Sequence, residues 1–159
     1  VAGVRICFVC LGNICRSPTA EAVMRELVKQ EGLAADVEVD SAGTAGWHIG
    51  AAPDQRSVDE ANRRGVRIAH RGRQFDRSDF DKFDLILAMD HDNHSQLLRL
   101  APDGDASEKV QFLRSFDPDA HGAVTIDDPY YGTTDDFVRA FDEIEAACRG
   151  LLGYVKTQL

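Results

Sequence analysis

The chain has 159 residues, 43% of them hydrophobic, and 27 acidic against 18 basic side chains give it a net charge of −9. That length suits one α/β domain spanning 1–159, and an acidic chain with no basic tract is not expected to bind nucleic acid. No apolar run reaches membrane-spanning length and no signal peptide opens the chain. Its four unevenly spaced cysteines fit reduced thiols, so the expectation is a cytoplasmic protein without membrane contact, secretion by another route staying open.

Arg5 to Val9 reads as a short buried strand. A helix should follow from Pro18 to about Glu31, with Ser17 as N-cap, Pro18 in the first turn, Ala20, Val23, Met24, Leu27 and Val28 at helical spacing, and Gly32 as its stop. Val37 to Asp40 reads as a second strand, and Ser41 to Ala52 as a loop carrying the only tryptophan, Trp47. Pro53 and Asp54 open a helix that ends near Gly65. Leu85 to Met89 is a third strand, Asp90 starts a helix reaching Ala101, and Val110 to Leu113 is a fourth strand. Arg114 to Thr133 is irregular and acidic, and a final helix from Thr134 to about Lys156 carries an apolar stripe through Phe141, Ile144, Cys148 and Leu152. Strands alternating with helices predict a four-stranded parallel sheet covered on both faces. Ligands bind such sheets beyond the carboxyl ends of the strands. Cys10, Ser41, Asp90 and Arg114 each follow a strand, which predicts one shared crevice.

The chemistry concentrates in Cys10-Leu11-Gly12-Asn13-Ile14-Cys15-Arg16-Ser17-Pro18. A strand that ends in cysteine, a loop containing Gly12 and Asn13, and a helix opening near Arg16 make an anion cradle. Loop N–H groups and the helix N-terminus supply partial positive charge, Arg16 supplies a two-pronged donor, and the same field favours the nucleophilic thiolate. Of the four cysteines, only Cys10 has an arginine six residues on followed by a serine. A buried structural thiol is the plainer alternative for Cys10. Cys7, Cys10 and Cys15 also read as C-x2-C-x4-C, but odd spacing on a strand sends Cys7 and Cys10 to opposite faces and Cys148 is remote, so no metal site is expected. His91 and His94, three apart on a helix with no third ligand in view, should face solvent. Residues 56–82 hold seven arginines and one lysine against five acids, either a solvated surface or a rim attractive to acidic phosphopeptides.

The segment from Ile6 to Ala22 resembles the low-molecular-weight protein tyrosine phosphatase family. Asp40-Ser41-Ala42-Gly43-Thr44 and Asp127-Asp128-Pro129-Tyr130-Tyr131-Gly132 match the same family in the same order, so the resemblance covers essentially the whole chain. It implies a flavodoxin-like phosphatase of phosphotyrosine proteins that needs no metal or other cofactor and takes phosphate and related oxyanions as ligands. On that resemblance Cys10 is the nucleophile, Arg16 binds the phosphate, and Asp128, directly before Pro129, is the general acid and base, with Asp127 the obvious confusion. Leu11, Gly12, Asn13, Ile14 and Cys15 line the phosphate loop, and Ser17 supports the thiolate. Ser41 and His70 support the loop, Trp47, Tyr130 and Tyr131 wall the cleft, and Cys15 is a redox partner for Cys10. Asp127 and Asp128 read from composition alone are ordinary turn acids, His70 a surface histidine and the aromatic residues packing anchors. Rival readings are an arsenate reductase, a protein-arginine phosphatase, or a phosphate binder without catalysis. The first lacks its mid-chain cysteines here, and the second carries Thr where Ile14 stands.

Overall fold

The computed structural model describes residues 3–159. Strands β1 (Val4–Cys10), β2 (Val37–Gly43), β3 (Leu85–Ala88) and β4 (Val110–Phe112) form one parallel sheet in the order β2-β1-β3-β4. The helices are α1 (Arg16–Gln30), α2 (Gln55–Arg63), α3 (Asp79–Lys82), α4 (His91–Leu100), α5 (Gly104–Glu108) and α6 (Thr134–Gln158), with a 3₁₀ turn at Leu113–Phe116. Among the described residues no helix is long and apolar enough to cross a membrane.

Alternation along β1 builds two cores. Ile6, Phe8 and Cys10 face one cluster with Met24 and Leu27 of α1 and Phe141, Ile144 and Leu151 of α6. Cys7 and Val9 face the other, with Phe80 of α3, Leu97 of α4 and Ala106 of α5. Cys7 and Cys10 therefore lie on opposite faces, as the period of a strand requires. Each fully buried Leu, Ile or Phe side chain contributes about 1.5–3 kcal/mol, so both faces are needed to hold the central strand in place.

Several boundaries differ from the sequence expectation. Helix α1 begins at Arg16 rather than Pro18. Cys15 takes the N-cap position without a side-chain bond, so Ser17 is not the cap. Strand β2 runs three residues beyond Asp40, because Ser41, Ala42 and Gly43 continue in register with Phe8, Val9 and Cys10. Helices α3 and α5 escape sequence reading because four- and five-residue helices are too short to show a 3.6-residue period. Leu113 belongs to the 3₁₀ turn instead of β4. His94 is not a free surface histidine: its ring stacks on Phe112 at 4.3 Å, with His91 edge-on to the same ring at 5.1 Å.

Candidate active site

Cys10 is the last residue of β1, and the loop after it turns back into α1. Asn13 makes the turn with φ of 57°, the left-handed conformation that Asn tolerates better than most residues. Four side-chain contacts fix it. Its Nδ2 donates to Ser17 Oγ at 2.8 Å and to Ser41 Oγ at 3.1 Å, while its Oδ1 meets His70 Nε2 at 2.7 Å and accepts from the Arg73 amide at 2.9 Å. Ser41 in turn donates to Glu21 Oε1 at 2.7 Å, and His70 Nδ1 lies 3.1 Å from the same oxygen. Burial works against the Glu21 charge, but the bonds from His70 and Ser41 hold its carboxyl below the usual range. Ser41 and His70 thus lie beneath the loop and brace it.

Ser17 Oγ sits 3.0 Å from Cys10 Sγ. Because Ser17 already accepts from Asn13, its hydrogen is free to point at the sulfur, the use that displaces N-capping. Gly12 lies under His48: a Cβ there would come within 3.0 Å of His48 Cδ2.

Arg16 is 2% exposed, the most deeply buried charge facing the cleft. Its Nη1 donates to Asp90 Oδ2 and to the Ile126 carbonyl, both at 2.7 Å, and its Nη2 lies 3.5 Å from Asp128 Oδ2. Burial opposes its charge, but Cys10, Asp90 and Asp128 more than offset that, and the guanidinium is held charged. Its Nε is buried without a partner. An unsatisfied buried donor costs about 1–3 kcal/mol, and the guanidinium that carries this one lines the cleft.

Asp128 also accepts from the Tyr130 amide at 3.1 Å. The cleft above Cys10 has a volume of about 140 Å³ and is lined by Leu11, Gly12, Ile14 and Cys15 of the loop as well as by Arg16 and Asp128. Trp47 and His48 come from one flanking segment, Tyr130 and Tyr131 from another. The aromatic walls are more open than a deep slot: Trp47 is 72% and Tyr131 96% exposed. Cys15 is buried, and that burial, with Asp54 nearby, pushes its thiol up to about 12. A larger groove of about 460 Å³ behind α1, beside Arg25 and Lys29, is lined by no cysteine, serine or threonine.

One expectation fails here. Arg114 does not reach the crevice; it turns to Glu143 and to the Thr125 carbonyl. Four of the eight basic side chains in the arginine-rich segment are paired with acids in place, Arg56 with Asp54, Arg63 and Arg64 with Glu60, and Arg73 with Asp40 and Asp79. That favours a solvated surface over an acid-attracting rim. Glu21, Asp40 and His70 bring possible ligand atoms within 4.8 Å of one another. Arg25 and Arg73 already pair with the two carboxylates at 2.8 and 3.1 Å, so the cluster suits a cation poorly.

Residues 5–159 match the sequence profile of the low molecular weight phosphotyrosine protein phosphatases. The chain belongs to that family. A low molecular weight protein-tyrosine-phosphatase of Streptomyces coelicolor is 47% identical over 156 residues, 98% of this chain and 95% of that one. Among solved structures, a protein tyrosine phosphatase from Entamoeba histolytica superposes with a TM-score of 0.93 at 37% identity, covering 97% of each chain. A Drosophila arginine phosphatase superposes with a TM-score of 0.87 at 34% identity, covering 95% of this chain and 97% of that one. In this phosphatase, sequence reasoning overlooked His48, and it placed Asp90 at the crevice without giving it a contact with Arg16. The signal for Asp90 was its position directly after a strand; nothing in the sequence marked His48.

Proposed function

We propose that the protein hydrolyses phosphotyrosine in proteins, and aryl phosphates generally, through a cysteinyl-phosphate intermediate. The Cys10 thiolate attacks phosphorus, forming the S–P bond as the P–O ester bond breaks. Asp128 gives its proton to the departing phenolate oxygen. A water then attacks phosphorus and loses its proton to Asp128, the S–P bond breaks, and inorganic phosphate leaves with the thiolate restored. Arg16 and the loop amides hold the non-reacting oxygens and match the charge that spreads over them. Ser17 donates to the sulfur, and Asn13, Ser41 and His70 keep the loop in shape.

The observation that carries this reading is the Arg16 guanidinium. It is buried, has its Nε unpartnered, and faces both Cys10 and Asp128 across one cleft. Apolar Ile14 with Trp47, Tyr130 and Tyr131 supports an aryl substrate over phosphoarginine. Turnover of para-nitrophenyl phosphate and of a phosphotyrosine peptide, lost in Cys10→Ser, is the expected result. Faster turnover of a phosphoarginine peptide would reassign the substrate, and full activity in Cys10→Ser would remove the covalent step.

A further inference from the structure

Asp128 rides on a stretch from Asp117 to Thr133 that contains no helix or strand. An irregular segment of that length holds a side chain in register only where its backbone is tied down. The ties converge just before the acid. The Ile126 side chain is fully buried, and its amide donates to the Met89 carbonyl at 2.7 Å. Its carbonyl accepts from Arg16 Nη1 at 2.7 Å, and the preceding carbonyl, Thr125, accepts from Arg114 Nη1 at 3.0 Å. Two consecutive carbonyls are therefore held by guanidinium groups from different elements. Arg114 is itself held by Glu143 of α6, Nη2 to Oε2 at 3.3 Å, with both side chains only about one-fifth exposed at 21% and 20%.

We propose that Arg114, clamped by Glu143, is a positioning residue for the general acid. It touches neither cleft nor substrate and acts through the backbone that carries Asp128, so the inference rests on the reading of Asp128 given above. The planar fork matters: one prong takes the carbonyl while the other takes the carboxylate, which a lysine ammonium on a flexible stem cannot reproduce in the same geometry. A small displacement of a catalytic group is enough to lower a rate severalfold or more.

The test uses full-length Arg114→Met, which keeps the apolar stem, beside Arg114→Lys and Glu143→Gln. The readout is kcat/KM for phenyl phosphate, whose leaving group needs a proton, and for dinitrophenyl phosphate, whose leaving group does not. Arg114→Met should lose about tenfold on the first and less than about twofold on the second, with the inhibition constant of inorganic phosphate unchanged. Arg114→Lys and Glu143→Gln should fall between Arg114→Met and the parent. In an Asp128→Asn background, Arg114→Met should add no further loss, because two changes acting through one group are not additive. Equal losses on both substrates, additive losses in the double variant, or an unaltered Arg114→Met enzyme would each overturn the positioning role. If Asp128→Asn itself left phenyl phosphate turnover intact, the acid assignment would fall and the positioning role with it.

Discussion

Asp127 and Asp128 are chemically identical neighbours in very different surroundings. Asp128 has an oxygen 3.5 Å from the buried Arg16 guanidinium and lines the cleft. Asp127 has an 81% exposed side chain and only a 3.9 Å approach to Arg139. Asp128→Asn should therefore slow aryl phosphate hydrolysis by roughly 10²–10⁴-fold, the usual range for a general acid–base, while Asp127→Asn should change it little. Steady-state kinetics of the two variants decide the matter, and a more damaging Asp127→Asn would reverse the assignment. Cys10, Arg16 and Ser17 were legible in the sequence because one short loop carries them all. Ser17 was given two tasks, helix cap and support of the thiolate; the structure removes the first and sets its Oγ 3.0 Å from Cys10 Sγ. Its hydroxyl could cap a helix or face a sulfur, and local rules favour the cap until Asn13 is seen filling its acceptor site. The Asp90 contact with Arg16 spans 74 positions of sequence, and no local pattern reports such a pair.

At the scale of elements, Asp90 serves two masters. Its Oδ1 accepts from the Asn93 amide at 2.9 Å in the capping box of α4, and its Oδ2 holds Arg16. Asp90→Ser should keep the cap and most of the stability but release the guanidinium. Asp90→Ala should lose both, costing a further ~1 kcal/mol of stability. Losing a charge-assisted bond worth about 1.5–3 kcal/mol corresponds to a fall in kcat/KM of about ten- to a hundredfold in either variant. Urea midpoints and kinetics measured on the same preparations separate the two effects, and an Asp90→Ser enzyme with unaltered kinetics would confine Asp90 to the helix. The phosphate loop makes a second element-scale prediction. Cys10 and Cys15 are both free thiols, and Cys15 is held protonated by its burial. Peroxide should meet Cys10 first, and condensation of the resulting sulfenic acid with Cys15 should protect it from irreversible oxidation. Dithiothreitol should then restore more activity to the parent than to Cys15→Ala; equal recovery, with no Cys10–Cys15 peptide in a non-reducing digest, would leave Cys15 a packing residue. The strands and long helices were readable from apolar periodicity. The short helices α3 and α5 were not, because they are held by context, such as Phe80 in the core and the Asp103 cap.

For the whole molecule, three buried thiols tie stability to alkaline pH. Burial pushes Cys7 and Cys148 well above the ordinary thiol range and Cys15 up to about 12. Their folded-state values lie above those of the unfolded chain, so the unfolded chain releases protons first. The stability they contribute is full below about pH 8.5 and is lost as pH rises toward 12. Glu21 works in the opposite sense: its value is depressed, so its contribution is present at neutral pH and lost as the solution is acidified through the folded value. Urea midpoints measured from pH 8 to 10.5 should fall, and the fall should be shallower in Cys148→Ala. Identical slopes would show that the thiols do not govern it.

The central place of β1 has a consequence for how the catalytic parts move. Ile6, Cys7, Phe8 and Val9 have no exposed surface, and their strand is hydrogen-bonded to β2 on one side and β3 on the other. Their amide protons should exchange with solvent only when the sheet opens, so Cys10 ends a segment expected to open last. Asp128 is mounted on the segment from Asp117 to Thr133, fastened at a few points and otherwise at the surface, where exchange occurs through small local openings. Cys10 and Asp128 are therefore expected to sit on segments that open with different free energies. Hydrogen exchange should be slowest at Ile6, Cys7, Phe8 and Val9 and faster across the untied parts of the stretch from Asp117 to Thr133; equal protection of the two would show that they open together.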